Sequence, residues 1–265
     1  SSPILIMFSA VSDGVVHLRR TLAGLDRIWQ LLYMTDEYAQ DAALRALEVN
    51  DRPWRAHALA CRFSDGYEAF REVGFTIPSR GFIAVSGVSG VGKTTLFRLM
   101  LKLYPVTGGK LEVYGQDTTE VSRASLRRQL TYVPQENALV EGTLLDNLSA
   151  EAERISPEKA HRLLELVCAQ AWANALPQKL DTMLTERAVT LSGGQRQMIA
   201  LARALARETP AYLLDEVFAG IDRTRVAGIM ENLRQAYPER LFLIITHDPE
   251  VMRLCDERIT LARAG

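Results

Sequence analysis

The chain has 265 residues with a formal net charge of −1, and 48% of them are hydrophobic, which is enough for one large α/β domain and an appended segment. Its 31 lysines and arginines are scattered among 32 acidic residues, so the sequence predicts no nucleic-acid partner, since such binding needs a basic surface. The three cysteines, Cys61, Cys168 and Cys255, are too far apart for a metal or redox motif and suit a reducing compartment.

The first part of the chain combines an apolar run, an amphipathic segment and a polar stretch. The run over residues 3–11 is too short to cross a bilayer, which needs about 20 apolar residues. It lacks a basic leader and is followed at once by polar residues, which argues against a signal peptide. Residues 22–32 then place apolar side chains at helical spacing. The sequence predicts a helical segment over residues 1–33 and a polar linker over residues 34–57.

A glycine-rich loop over residues 87–95 follows an apolar run typical of a strand and precedes a helical pattern. Glycines allow successive backbone N–H groups to face phosphate oxygens, and the following helix adds the positive end of its dipole. In such a loop Lys93 contacts the β- and γ-phosphates, Thr94 ligates Mg²⁺ and Thr95 contacts the α-phosphate side. The loop therefore predicts a nucleoside triphosphate site. Its candidate residues are Gly87, Ser89, Gly90, Val91, Gly92, Lys93, Thr94 and Thr95.

Further polar residues stand at the ends of predicted elements. Residues 192–194 begin a predicted helix, and the N–H groups at a helix start bind anions. The apolar strand over residues 211–214 runs into Asp215 and Glu216, and another apolar strand ends just before His247. Open α/β sheets bind ligands at the carboxyl ends of their strands, so these side chains are expected at the nucleotide site.

The order of three segments resembles the nucleotide-binding domain of ABC proteins. These are the phosphate loop, the sequence Leu-Ser-Gly-Gly-Gln at residues 191–195, and the strand that ends in Asp215 and Glu216. Further matches are a Q-loop at Tyr132–Gln135, a D-loop at Ala219–Asp222 and a switch-histidine segment at Ile245–Asp248. The resemblance implies an α/β fold: a P-loop NTPase core with a mainly parallel sheet flanked by helices, an antiparallel β subdomain and a helical subdomain. It places the ATPase domain at residues 58–265, with the helical subdomain over about residues 136–197.

The resemblance also implies ATP hydrolysis, with ATP and Mg²⁺ bound at the site. Asp215 would hold Mg²⁺ together with Thr94 and the amide oxygen of Gln135. Glu216 would act as the general base, and His247 would contact the γ-phosphate and hold Glu216 in line. Phe63 matches the adenine-stacking aromatic of the family, with Tyr67 as a rival.

A dimer is implied because, in the family, the signature of one subunit closes over the ATP held by another. The chain carries one complete set of motifs, so it cannot build a two-site sandwich alone, and a homodimer is the simpler expectation. The residues expected to contact the partner's nucleotide are Ser192, Gly193, Gly194, Gln195 and Asp222.

Three segments resemble the exporter type of this family. Residues 22–32 are similar to the cytoplasmic end of the last membrane helix of half-transporters, which implies that residues 1–33 hold the end of that helix and its cytoplasmic extension. A free-standing amphipathic helix is the alternative. Residues 182–188 resemble the X-loop, although Thr185 and Ala188 stand where glycines are usual, and residues 138–142 match the groove for a coupling helix. We therefore expect the motor domain of an exporter-type half-transporter, joined to a transmembrane domain at the cytoplasmic face of a membrane. The ATPase of an ABC importer and a soluble non-transport ABC ATPase are the alternatives.

Overall fold

The computed structural model describes residues 41, 43–63, 66–136, 138–149, 154–184 and 191–262. The predicted helical segment over residues 1–33 lies outside these residues, as do residues 185–188 of the predicted X-loop. In the part of the chain that is described, no helix combines the length and apolar character needed to cross a bilayer. The chain divides into one unit up to Ala43 and a second from Leu44 onward, and all that follows concerns the second.

The second unit contains eleven strands among the described residues. They are β1 (Trp54–Arg62), β2 (Glu68–Ile77), β3 (Gly81–Gly87), β4 (Gly108–Val113), β5 (Gln116–Asp117), β6 (Leu130–Val133), β7 (Gly142–Thr143), β8 (Met183–Leu184), β9 (Ala211–Asp215), β10 (Leu241–Ile245) and β11 (Glu257–Leu261). The α-helices are Lys93–Met100, Arg123–Gln129, Leu144–Leu148, Pro157–Leu166, Gln170–Asn174, Gly193–Leu205, Arg223–Ala236 and Pro249–Leu254. We call Lys93–Met100 the loop helix and Gly193–Leu205 the signature helix.

Five parallel strands form the central sheet in the order β11-β3-β10-β9-β6. Every residue of β9 and β10 is buried, as expected for parallel strands covered on both faces. On one face Phe82, Tyr212 and Phe242 form a stack across three strands, with ring centroids 4.7 and 5.0 Å apart. Alternate residues such as Leu213 and Leu243 enter the core on the other face. The two cores thus lie on opposite sides of one sheet.

The second sheet is antiparallel, with the order β2-β1-β4-β5. Its buried face, which includes Trp54 and Phe70, shares one core with the loop helix and with alternate residues of the parallel sheet. On the other side of the parallel sheet, the helices of residues 144–205 contribute Leu144, Leu164 and Ile199 to the other core. The predicted class is confirmed: a parallel α/β core, an antiparallel β subdomain and a helical subdomain.

Local capping explains where the helices of the helical subdomain begin. Ser156 caps Pro157–Leu166 by accepting from the Lys159 N–H, with proline in the first turn, as the sequence predicts.

Asn147 is fully buried; its amide bonds both the N–H and the C=O of Val140, and its Oδ1 accepts from Arg203. These bonds join the loop before β7 to the signature helix. That helix continues to Leu205, beyond the predicted subdomain limit at residue 197.

The compact unit starts earlier than the predicted boundary at residue 58. β1 begins at Trp54, opposite Ile77 of β2, and the Leu47 N–H donates to Ser125 Oγ. Part of the predicted linker over residues 34–57 therefore belongs to the antiparallel sheet and its surroundings. The sequence did not reveal this because the pairing partners in β2 are distant in sequence, as Trp54 and Ile77 show, and the preceding stretch is polar.

Candidate nucleotide-binding site

The site lies where four neighbouring parallel strands end. Ile245 of β10 is level with Val85 of β3 on one side and with Asp215 of β9 on the other. The glycine-rich loop follows β3, Glu216 follows β9, and the segments with Gln135 and His247 follow β6 and β10. Parallel register thus brings together four chain segments far apart in sequence, at the sheet edge where such folds bind ligands.

The glycine-rich loop wraps around the side chain of Lys93. Its ammonium donates to Gly87 O at 3.0 Å and to Val88 O at 3.1 Å, and the residue is 7% exposed. Burial lowers the pKa of Lys93, while the negative charges of Glu216 and Asp215 oppose this shift. Gly92 has φ +95°, and a Cβ there would stand 2.7 Å from the Phe70 ring. The loop therefore requires glycine at this position for backbone conformation and for packing.

Not every residue of the loop faces the cleft. Ser89, Gly90, Gly92, Lys93, Thr94 and Thr95 line it. Val91 has its side chain buried and its N–H donates to Val88 O at 3.3 Å, and Gly87 is not among the lining residues. Val91 could therefore contact a nucleotide only through its backbone atoms, and Gly87 lies outside the lining of the cleft.

Asp215 is 2% exposed and has donors on two different elements. Thr94 Oγ1 of the loop helix donates to Asp215 Oδ2 at 2.8 Å, and Tyr132 Oη of β6 donates to the same oxygen at 3.2 Å. Burial, and secondarily the charge of Asp215, raises the pKa of Tyr132 to about 12. The phenol therefore stays protonated and remains a donor at neutral pH.

Glu216 is held between the two remaining predicted residues. Gln135 Nε2 donates to Glu216 Oε2 at 2.9 Å, and His247 Nε2 lies 3.5 Å from Glu216 Oε1. The backbone of Glu216 has φ +51°, in the left-handed region, and its N–H donates to Ile245 O at 3.0 Å. This uncommon backbone conformation sets the direction of the Glu216 side chain. Residues in such conformations are concentrated at functional sites.

These residues enclose a cleft of about 300 Å³. Tyr67 lines its rim and is 55% exposed, whereas Phe63 does not line it. Phe63 is stacked on Tyr67 with centroids 6.0 Å apart, contacts Tyr104 edge to face and packs on the core. The structure thus places Tyr67 at the cleft and Phe63 behind it.

A second cleft, of about 220 Å³, is formed by the start of the signature helix and the D-loop. Ser192 Oγ accepts from the Gln195 N–H while Gln195 Oε1 accepts from the Ser192 N–H, a reciprocal capping box. A Cβ on Gly194 would lie 2.6 Å from Gly220 O, so this glycine permits the close approach of helix and D-loop. Asp222 caps the helix Arg223–Ala236 and lines the same cleft. Gly193 is not a lining residue.

The two clefts have no lining residue in common. The structure therefore brings Lys93, Thr94, Gln135, Asp215, Glu216 and His247 together, and it places Ser192, Gly194, Gln195 and Asp222 at a separate site. Sequence reasoning assigned Tyr132 to the Q-loop but missed its contact with Asp215. The available signal was a tyrosine on a strand beside the one that ends in Asp215.

The oxygen donors of the first cleft fit a magnesium ion. Thr94 supplies a hydroxyl, Asp215 a carboxylate and Gln135 an amide oxygen, and Mg²⁺ prefers such hard ligands. Among the described residues there is no cluster of three histidine, cysteine or acidic side chains that could hold a metal alone. The oxygen atoms of Thr94, Asp215 and Gln135 suit an ion that is bound jointly by protein groups, water and nucleotide phosphates.

A phosphate loop at the end of a parallel strand, with an acidic pair at the end of another strand of the same sheet, is typical of the P-loop class of nucleotide-binding proteins. Residues 70–219, more than half of the chain, match the family described as ABC transporter. The chain therefore belongs to the ABC transporter family and comprises its ATP-hydrolysing domain.

The relatives of this chain include an export ATP-binding/permease protein and an ATP-dependent flippase. The chain is 35% identical over 197 residues to the beta-(1→2)glucan export ATP-binding/permease protein NdvA of Rhizobium johnstonii, covering 73% of this chain and 33% of that protein. It is 30% identical over 260 residues to the ATP-dependent lipid A-core flippase of Photorhabdus laumondii, covering 97% and 45%. The chain thus spans less than half the length of these relatives.

The chain also resembles a solved structure of an ABC exporter. The chain superposes on a bacterial Atm1-family ABC exporter with ATP bound at a TM-score of 0.82 and 27% sequence identity. The match covers 92% of this chain and 43% of the exporter chain. The predicted membership in the ABC family, the fold and the ATPase assignment are confirmed.

Proposed function

We propose that this chain is the ATP-driven motor of an exporter-type ABC transporter, and that two copies enclose two ATP molecules head to tail. The observation that carries the proposal is the separation of the nucleotide cleft from the signature cleft on one chain. Ser192 begins a helix of 13 residues whose N–H groups suit an anion. A second copy can bring that helix start to the phosphates held by Lys93.

The polar residues of the nucleotide cleft divide the tasks of hydrolysis among them. Lys93 and the loop N–H groups bind the phosphates, while Thr94, Asp215 and Gln135 would hold Mg²⁺ through oxygen atoms, and the ion would supply positive charge to neutralise the transferred phosphoryl group. Glu216 accepts a proton from the water that attacks the γ-phosphorus, and the bond to the β-phosphate oxygen breaks. His247, beside Glu216, orients this carboxylate and contacts the γ-phosphate.

The loop between Gln135 and β7 is the proposed contact with a transmembrane domain. Val140 is 55% exposed and Met183, on the neighbouring β8, is 43% exposed. Exposed apolar side chains on a loop are more stable when a partner covers them. Since Asn147 and Arg203 join this loop to the signature helix, a membrane helix docked there would move with that helix. Under this proposal the motor lies at the cytoplasmic face of a membrane.

A shared active site predicts that the hydrolysis rate depends on chain concentration. At low concentration the rate per chain should rise in proportion to concentration and then level off, because only dimers hold complete sites. Phosphate release by the 265-residue chain, measured over a dilution series with saturating MgATP, tests this. A rate per chain that stays constant while the protein is monomeric would contradict the head-to-tail arrangement.

The position of Tyr67 predicts which ring contacts the adenine. Tyr67→Ala should weaken ATP binding by about 10-fold, because stacking on an aromatic ring contributes about 1–3 kcal/mol. Tyr67→Phe keeps the ring and should bind ATP with the parental affinity. Titration with a fluorescent ATP analogue measures both. A loss confined to Phe63→Ala would instead assign the base contact to Phe63, as the sequence predicts.

A further inference from the structure

Tyr132 is the residue of the site that sequence reasoning left without a task. It lies on β6 opposite Leu213 of β9, the strand that ends in Asp215. Its hydroxyl donates to Asp215 Oδ2 at 3.2 Å. Its ring contacts the fully buried Phe97 edge to face, with centroids 6.3 Å apart, so packing on the loop helix fixes where the hydroxyl points.

Two donors on different elements meet at one oxygen of Asp215. Thr94 Oγ1 reaches Oδ2 from the loop helix and Tyr132 Oη reaches it from β6. The terminal torsion of an aspartate is broad, so one hydrogen bond alone leaves the carboxylate free to rotate. Two bonds to Oδ2 fix the plane of the carboxylate. The other oxygen, Oδ1, is not engaged by these two donors. The two hydrogen bonds thereby orient the carboxylate.

We propose that Tyr132 is a positioning residue for magnesium, holding the Asp215 carboxylate in the orientation in which it binds the Mg²⁺ of MgATP. This inference rests on the proposed magnesium role of Asp215 and Thr94. Groups that hydrogen-bond a metal ligand commonly set the affinity of its metal site. Tyr132 makes no direct contact with nucleotide in this role, so its effect depends on the presence of the metal.

Tyr132→Phe removes the hydroxyl and keeps the ring that packs on Phe97. In the 265-residue chain the variant should bind magnesium-loaded adenylyl imidodiphosphate, which is not hydrolysed, about 10-fold more weakly than the parent, the low end for a lost partner of a metal ligand. With EDTA in place of magnesium, both proteins should bind the nucleotide equally. Titration calorimetry with and without magnesium gives the two affinities, and Mn²⁺ spectroscopy of the loaded protein reports the ligand environment directly.

Tyr212→Phe is the matched control. Tyr212 is a buried residue of β9, the strand next to β6, and its hydroxyl accepts from Arg240 at 2.8 Å. The substitution removes this hydroxyl and leaves both donors of Asp215 in place. Its affinities should equal those of the parent in both conditions. This comparison separates a general loss of a buried hydroxyl from a loss at the metal ligand.

The outcomes test the positioning role of Tyr132 separately from the proposed magnesium site on which it rests. If the parent gains affinity with magnesium and Tyr132→Phe gains as much, the positioning role is wrong while the magnesium site stands. An equal loss with and without magnesium would also overturn it, since the residue would then support the cleft in general. A parent whose affinity does not respond to magnesium would overturn the magnesium site, and the inference with it.

Discussion

Replacing Glu216 with glutamine should slow ATP hydrolysis by about 10²- to 10⁴-fold, the usual cost of losing a positioned general base, while ATP still binds. The amide matches the carboxylate in size and can still contact Gln135 and His247, which lie 2.9 and 3.5 Å from its two oxygens. It cannot accept the proton of the attacking water. Steady-state phosphate release and equilibrium ATP binding measure the two effects separately. Size-exclusion chromatography with MgATP should show the variant as a stable dimer.

Glu208 offers a matched control for this substitution. Its backbone has φ 55°, close to the 51° of Glu216, so both positions test glutamine in the left-handed region. The Glu208 carboxylate pairs with Lys159 at 2.7 Å on the protein surface, away from the cleft. Glu208→Gln should therefore hydrolyse ATP at the parental rate. Parental hydrolysis by Glu216→Gln would remove Glu216 from the role of base.

The catalytic segments could be predicted because each is a local pattern at the end of a strand. Lys93 follows Gly87 closely enough for its side chain to return to the loop backbone, and the acidic pair follows an apolar strand directly. Parallel strands align their carboxyl ends, so Asp215 and His247 were expected near the loop without any knowledge of register. In the sheet order β3-β10-β9, the strand before His247 lies between the strand before the loop and the strand that ends in Asp215.

Contacts between segments could not be predicted in the same way. Tyr132 and Asp215 are 83 residues apart, and their bond depends on the pairing of β6 with β9. The sequence assigned the amide oxygen of Gln135 to the metal but did not indicate that its amide nitrogen donates to Glu216. Phe63 matches a family position, but Tyr67 lines the cleft and Phe63 does not. In each case the outcome depends on loop geometry and side-chain direction, which a linear pattern does not contain.

The charges of the nucleotide cleft are relevant to the proposed contribution of a second copy. Among its described lining residues, Lys93 contributes one positive charge, and Asp215 and Glu216 contribute two negative charges. A triphosphate entering this cleft therefore needs further positive potential from the loop N–H groups, Mg²⁺ and another helix start. The signature helix begins at Gly193, and the first N–H groups of a helix have no partner within the helix. The cleft at this helix start does not include Lys93.

Mixing two inactive variants should restore ATP hydrolysis. Lys93→Met removes the phosphate contact, and Ser192→Asp places a negative charge where the partner's phosphates would lie, so each variant alone should be inactive. In a head-to-tail mixed dimer, one site combines the intact Lys93 of one chain with the intact Ser192 of the other. Random pairing gives half mixed dimers with one complete site each, so roughly a quarter of the parental rate is expected from symmetry. Phosphate release measured over a series of mixing ratios checks this.

Ser192→Asn supplies the control for the charge. Asparagine and aspartate both replace serine as helix caps at little cost, so the two variants keep the bond to the Gln195 N–H and differ in charge. The asparagine variant should retain much of the parental activity, whereas the aspartate variant should lose it through repulsion of the bound phosphates. If the mixture of Lys93→Met and Ser192→Asp remains inactive although mixed dimers form, Ser192 does not act on the partner's nucleotide, and the two clefts do not join across the dimer.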